Sequence, residues 1–492
     1  MLPVPLLIAL ILAFGIDPPR AGTPIPDAGL RVLQTCGGIS VVAVLSFGFA
    51  LWIASQVSQG ATPPSRVRRR HIRGVQVLTL ISLLVYGWII HSVGWGRIVR
   101  ANWGLGRLGV LNDAIVFLPF AVIQVVVWWG QFVADRAFQR GVERLPAARL
   151  GRYLLLRSRQ SLGLMMPVIL LLVIRRDILA RFWPHWDELP VAGPIEVALL
   201  GGLVLAAPLF VRCAWPTRSL PAGPLRRRLE RAARRAGFRF RDILLWDTGN
   251  SVLNACVTGV LPGFRYVLLT DALVDTMTPV EVAAVFGHEI GHIAHRHLLY
   301  FGFFFAGSLA FITLLTACVA AGLSWLSNVP GVPVWAAQAI GGDVGQEVLI
   351  LVLAGVYFWL VFGHLSRRFE RQADVFGSKV VSCDHPDCPP HVDIEMDSPS
   401  MTFRGRLPLC PGGLRTFSEA LAIVAQCNNM ELRRRSWRHG SIASRILFLQ
   451  QLENDPRREG GFQREMTILR GVLGLILVLA LCASGLLQWY GR

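Results

Sequence analysis

The chain has 492 residues, 53% of them hydrophobic, a mean hydropathy of +0.49 and a formal net charge of +18. Such a composition excludes an ordinary soluble enzyme and a disordered chain, and it points to a polytopic membrane protein. All but one of the basic residues are arginine; they collect in particular loops and accompany no nucleic-acid-binding motif, so nucleic acid is not an expected partner.

A bilayer core about 30 Å thick needs about 20 apolar helical residues. Nine stretches are candidate spans: Leu2–Ile16, Cys36–Ser55, Val75–Val93, Ala114–Val133, Ser161–Ile174, Ile195–Cys213, Leu298–Leu326, Val348–Phe362 and Gly471–Leu487. The first lacks a basic leader and a clear cleavage site, so an uncleaved span is expected there. Starting from a cytoplasmic N-terminus, the inner loops hold Arg66 to Arg73 and Arg136 to Arg159, and the outer loops hold fewer arginines. This asymmetry predicts nine spans with the segment after Cys213 on the cytoplasmic side; a bacterial cytoplasmic membrane is the expected location. The predicted fold is mainly α, a polytopic helical membrane protein carrying a cytoplasmic domain of helices plus a small β-hairpin or sheet. The expected organisation is a membrane domain over 1–214, a first part of the cytoplasmic domain over 215–297, a transmembrane hairpin over 298–363, a second part over 364–467, and a last span over 468–492.

After Cys213 the run Leu225–Arg241 reads as a basic surface helix near anionic headgroups. The stretches Ser251–Thr258 and Tyr266–Thr270, separated by Pro262-Gly263, read as strands of a hairpin or small sheet, with an edge able to pair with an extended peptide. Thr278 and Glu281 form a capping box with Pro279 at the first helical position, so a helix starts there. In its interior His288-Glu289-x-x-His292 puts two imidazoles on one face, where they can converge on one zinc ion, with Glu289 placed to take a proton from water rather than to bind the metal.

A hydrolytic zinc site usually holds three protein ligands. Just after the returning span, Glu370 and Asp374 stand four apart on one helical face: Glu370 can complete the ligands and Asp374 can accept a hydrogen bond from a ligating imidazole. A solvated helix, its acids paired with Arg367, Arg368 and Arg371, is the competing reading. The hairpin favours the first, because it returns the chain to the face that carries the histidines. Between residues 380 and 411 lies a Pro-rich insert with Cys383, His385, Cys388, His391 and Cys410. Its C-x4-C spacing is irregular for a structural zinc site, so a flexible loop with reduced cysteines is expected, rather than a second ion at Cys383, Cys388 and Cys410.

The pair His288-Glu289-Ile290-Gly291-His292 and Ser366-Arg367-x-x-Glu370-x-x-Ala373-Asp374 resembles the membrane zinc metalloproteases that include the type I CAAX prenyl proteases and the HtpX-like heat-shock proteases. Asn254-Ala255, Gly259, Asp271 and His297 extend the likeness, as do His439 and Arg445 downstream. The resemblance covers roughly Leu225–Lys379 and Gly412–Gln451 and implies a gluzincin-type domain. Zinc would sit on His288, His292 and Glu370, with Glu289 as general base and then acid and Asp374 behind the ligands. His439 would face the oxyanion, Arg445 would orient that region, and Asn254 and Ala255 would lie on a substrate-binding edge strand. The insert belongs to neither pattern, and this chain adds a first and a last span.

The expected function is hydrolysis of peptide bonds in membrane proteins or membrane-associated peptides by a zinc endopeptidase in contact with the lipid bilayer. Processing of lipid-modified peptides, as in the CAAX prenyl proteases, is one alternative. A non-catalytic, zinc-stabilised membrane scaffold is another, though such a scaffold has no need of Glu289.

Overall fold

The computed structural model describes residues 23–60, 64–139, 150–179, 191–250, 252–327, 343–383, 407–428 and 430–490, with isolated residues elsewhere that include Cys388 and His391. Most of Leu2–Ile16, the inner loop 140–149, the loop 328–342 and most of the insert, His385 among it, lie outside the described residues. The chain forms two compact units: Met1–Leu220 with Phe240–Val252 and Thr258–Ala272, and Pro221–Arg239 with Leu253–Val257 and Leu273–Arg492.

The first unit is built on α1 (Ala28–Gln59), α2 (Pro64–Trp88), α3 (Val110–Gln139), α4 (Leu150–Val173) and α5 (Ala192–Ala214). Helices in lipid gain little by hiding apolar surface from one another, so they associate where small residues allow close approach. Three crossings show this. A Cβ on Gly130 of α3 would stand 3.1 Å from the Ser46 carbonyl of α1, one on Gly74 of α2 would stand 2.0 Å from the Phe49 ring, and one on Gly163 of α4 would stand 2.5 Å from Ala214 of α5. Tyr86, Ile89, Trp95, Phe120 and Ile123 fill the core between α1, α2 and α3. Side chains on the outer faces, such as Leu33, Val44 and Leu84, are 65–72% exposed, which suits lipid and not water.

A small mixed sheet closes this unit. Strand β1 (Thr217–Ser219) pairs antiparallel with β2 (Asp242–Trp246), which pairs in parallel with β3 (Tyr266–Thr270), Ile243 opposite Val267 and Leu245 opposite Leu269. The fully buried β3 has the continuous apolar run expected of a parallel strand. Asp271, one of the residues that extend the family likeness, acts here on the local backbone. Its carboxylate accepts the N–H groups of Thr248 (3.1 Å) and Asn250 (2.9 Å). It thereby pins the turn in which Gly249 and Asn250 adopt positive φ.

The second unit holds α6 (Pro224–Arg235), α7 (Pro279–Ala294), α8 (His297–Ser327), α9 (Asp343–Val380), α10 (Pro411–Cys427), α11 (Ile442–Asn454) and α12 (Arg457–Tyr490), plus most of the strand Ala255–Thr258. Of the two predicted strands, Tyr266–Thr270 therefore forms over its full length and Ser251–Thr258 forms only over Ala255–Thr258. The basic run becomes α6, amphipathic rather than merely superficial, with Leu229, Ala232 and Ala233 buried and the helix packed on α7. Phe304, Phe362, Leu365, Phe369, Phe462 and Met466 join α8, α9 and α12 in an aromatic core at the base of the hairpin.

Among the described residues six helices are long and apolar enough to cross a membrane: Ala28–Gln59, Arg66–Val93, Val110–Phe138, Leu150–Val173, Ala192–Ala214 and His297–Thr316. The two later candidate spans, Val348–Phe362 and Gly471–Leu487, fall inside the long helices α9 and α12. The chain is an integral, multi-pass membrane protein of mainly α class.

Candidate metal centre

α7 begins as its sequence predicts. The Thr278 hydroxyl accepts the Glu281 N–H (3.4 Å), and the Glu281 carboxylate accepts the Thr278 N–H (2.8 Å). What sets the site is how closely α7 approaches α9. A Cβ on Gly287 would lie 2.8 Å from Val380 Cβ and 3.1 Å from Gly377 Cα, and one on Gly291 would lie 3.1 Å from Ala373 Cα. Backbone thus meets backbone, and His288 and His292 come face to face with Glu370 and Asp374. Gly287→Val is expected to force the helices apart, costing about 1–3 kcal/mol as an overpacked core does. Thermal unfolding and metal content of the variant would fall together; an unshifted midpoint with full metal would refute the account.

The three predicted ligand side chains converge. His288 Nε2 lies 3.2 Å from His292 Nε2 and 3.7 Å from Glu370 Oε2, and His292 Nε2 lies 3.9 Å from Glu370 Oε1. Bonds of about 2.0–2.1 Å to a tetrahedral ion would set such atoms about 3.4 Å apart, so the spacing suits zinc.

The far sides of the rings say which nitrogen is bare. His288 Nδ1 stands 3.0 Å from Asp374 Oδ1, an electrostatic contact rather than an in-line hydrogen bond. His292 Nδ1 stands 2.9 Å from His297 Nδ1, whose own Nε2 is 3.1 Å from Gln372 Oε1. That amide oxygen also accepts from the Arg470 guanidinium, and Gln372 Nε2 donates to Gln463 Oε1 (2.7 Å), so the amide orientation is fixed. His297 therefore carries its proton on Nε2, accepts at Nδ1 from the His292 Nδ1–H, and leaves His292 Nε2 as a lone pair. Two lone pairs 3.2 Å apart, beside a carboxylate, repel unless a cation lies between them, and the donor set fits a zinc ion.

Electrostatics agree with this assignment. Burial alone would lower the His288 pKa, but Asp374 and Glu370 outweigh it and raise it. His292, with no carboxylate on Nδ1, is pushed down to about 4 by burial and by His288. Burial opposes ionisation of Glu370 as well, yet Arg445 and the His439 hydrogen bond hold its carboxyl well below the usual carboxylate range. Glu289 has no such partner, and burial pushes it up to about 7. A dication beside it would draw that value down.

The remaining expected residues fall into place unequally. Arg445, buried on α11, forks onto Asp374 with Nε 2.8 Å from Oδ2, and its Nη1 reaches Glu370 Oε2 at 3.2 Å. His439 Nδ1 sits 2.8 Å from Glu370 Oε1, with its ring half exposed. Ala255 is buried in its strand, and Asn254 is exposed just ahead of it. Neither is among the side chains that meet at the metal centre. His295 packs edge-on against Phe376, and His364 is exposed.

Two working parts lay outside the roles that the sequence assigned, His297 having entered only through the family likeness. His297 stacks on Phe369, ring centroids 4.2 Å apart, and reaches His292 although it is five residues away, off the helical spacing of three or four. The reversal depends on Arg296, at φ 55°, which breaks the helix between α7 and α8. Asn428, at the end of α10, clamps the backbone of Leu253 through both amide atoms (3.2 and 2.9 Å), fixing the entry to the strand Ala255–Thr258.

Residues 219–396 match the model of peptidase family M48. "Protease HtpX" of Haemophilus ducreyi is 26% identical over 161 residues, 31% of this chain and 51% of that protein. "Protease HtpX homolog" of Methanocaldococcus jannaschii is 26% identical over 164 residues, 33% of this chain and 53% of that one. The chain thus spans about half the length of these curated relatives. The crystal structure of S. mikatae Ste24p aligns with 87% of this chain and 100% of that chain, at 18% identity and a TM-score of 0.49. Both histidines of α7 and both acids of α9 lie inside the stretch, residues 219–396, that is similar to peptidase family M48.

Proposed function

We propose that the protein is an integral membrane zinc endopeptidase that hydrolyses peptide bonds of membrane proteins or membrane-associated peptides. The observation that carries this reading is the convergence of His288, His292 and Glu370, with the partly buried carboxylate of Glu289 one residue from the first ligand. The M48 region and the likeness to proteins named HtpX protease support it.

His288, His292 and Glu370 would hold the ion. Bound there, zinc supplies Lewis-acid polarisation of the scissile carbonyl and acidifies water. Glu289 takes the proton of the attacking water and passes it to the leaving amine, a role suited to a carboxyl whose burial favours accepting a proton. Asp374 and His297 keep both imidazoles in the ligating tautomer, and Arg445 neutralises the two acids and fixes their direction. His439, which touches Glu370 and is open on its other side, orients that carboxylate and can donate to the developing oxyanion. Asn254 and Ala255 supply the strand along which an extended substrate pairs, steadied by Asn428.

The arginine-rich inner loops support a site that faces the cytoplasm of a bacterial cell. The test is zinc content and peptide cleavage of the detergent-purified chain beside Glu370→Ala. That variant is expected to lose the ion from this site and all cleavage. Wild type that holds zinc but cleaves no peptide, in vitro or in cells, would sink the enzyme reading in favour of a zinc-stabilised scaffold.

A further inference from the structure

The insert brings four soft ligands together away from the catalytic cluster. Cys383, Cys388, His391 and Cys410 each offer one atom, and these four atoms all lie within 4.8 Å of one another. Cys383 Sγ is 3.9 Å from Cys410 Sγ, and His391 Nε2 is 4.0 Å from it. The three cysteines form no disulfide, and Cys388, Cys410 and His391 are buried. A tetrahedral ion with Zn–S bonds of about 2.3 Å and a Zn–N bond of about 2.0 Å sets its ligand atoms about 3.5–3.8 Å apart. We propose that Cys383, Cys388, His391 and Cys410 form a second, structural zinc site of the Cys3His type.

The surroundings are those of a built site. His391 Nδ1–H donates to the Val381 carbonyl (2.6 Å), which fixes the tautomer and leaves Nε2 as a lone pair turned to the sulfurs. The His391 N–H is held by Thr416 Oγ1 (3.1 Å). Cys410 Sγ accepts two backbone N–H groups, from Gly413 (3.2 Å) and Cys383 (3.4 Å), as a thiolate does. Cys410 is also the N-cap of α10, where the helix dipole favours negative charge. Ser382 locks the frame: its hydroxyl accepts the Cys410 N–H (3.1 Å) and donates to the Ser378 carbonyl (2.9 Å).

The irregular spacing that spoke against a metal counts for little, because the fourth ligand arrives from a different helix and closes the tetrahedron in space. The ion ties the end of α9, which carries Glu370 and Asp374, to the start of α10, whose Phe417 stacks on the His288 ring. Its chemistry is structural, since four protein ligands leave no open position.

The test uses the full chain in detergent, analysed for metal and, after cobalt replacement, for absorption. Wild type is expected to hold two zinc ions per chain. His288→Ala/Glu370→Ala is expected to keep one and, with cobalt, to show thiolate-to-metal charge-transfer bands. Cys410→Ser is expected to keep only the other ion and to lose those bands. Should Cys410→Ser fail to fold, the bands in wild type and in His288→Ala/Glu370→Ala still decide. One zinc per chain with no thiolate band, a Cys383–Cys410 disulfide in the purified protein, or iron with sulfide in place of zinc would each overturn the proposal. Failure of the catalytic reading reads differently: it removes cleavage and leaves the thiolate bands.

Discussion

Glu289→Gln is expected to retain zinc at the His288–His292–Glu370 site and to lose peptide cleavage by about 10²–10⁴-fold in kcat, the usual contribution of a positioned general base. The amide has the volume of the carboxyl, so α7 and its packing on α9 are preserved. It cannot take the proton from water, and the neighbouring acids are no substitute: Glu370 and Asp374 are both held as anions by Arg445. Cys256, which the Glu289 carboxylate faces, has its thiol pushed up to about 12 by burial and then by that carboxylate, so it supplies no thiolate. Cleavage at the wild-type rate by Glu289→Gln would remove the base from the mechanism; loss of zinc along with activity would show that Glu289 holds the ion instead.

Arg445→Ala is expected to be the most damaging change outside the ligands. It leaves two buried carboxylates, Glu370 and Asp374, facing each other with one cation fewer. Breaking a buried pair by removing one partner costs about 3–5 kcal/mol, because the orphaned charge stays desolvated. Loss of a group that orients the ligands typically weakens metal affinity by about 10–100-fold. The thermal midpoint of the variant should therefore fall and zinc should be released at lower chelator concentration. Arg445→Lys should recover the charge but not the fork onto Asp374, and so should lie between the two. An Arg445→Ala protein with wild-type midpoint and zinc retention would reduce Arg445 to a bystander.

The sequence by itself determined everything that depends on neighbours along the chain. The capping box at Thr278, the four-residue steps His288 to His292 and Glu370 to Asp374, and the apolar lengths of the spans are local periodicities, each with one conformational solution. The specific pairing of the two motifs extended this to a likeness with the family whose model matches the region that carries them. Contacts over long separations were decided only by the tertiary structure. The glycines at 287 and 291 look ordinary until α9 is seen packed against them, and that approach, not the motif, sets the 3–4 Å spacing of the ligands. His297 and Gln372 hold His292 through a helix break and a second helix, so no spacing rule reveals them. The insert is the clearest case: C-x4-C-x2-H reads as an irregular loop because its fourth ligand, Cys410, lies on the far side of a long excursion. Whether such residues meet is fixed by where α9 ends and α10 begins, a decision made by packing and not by periodicity.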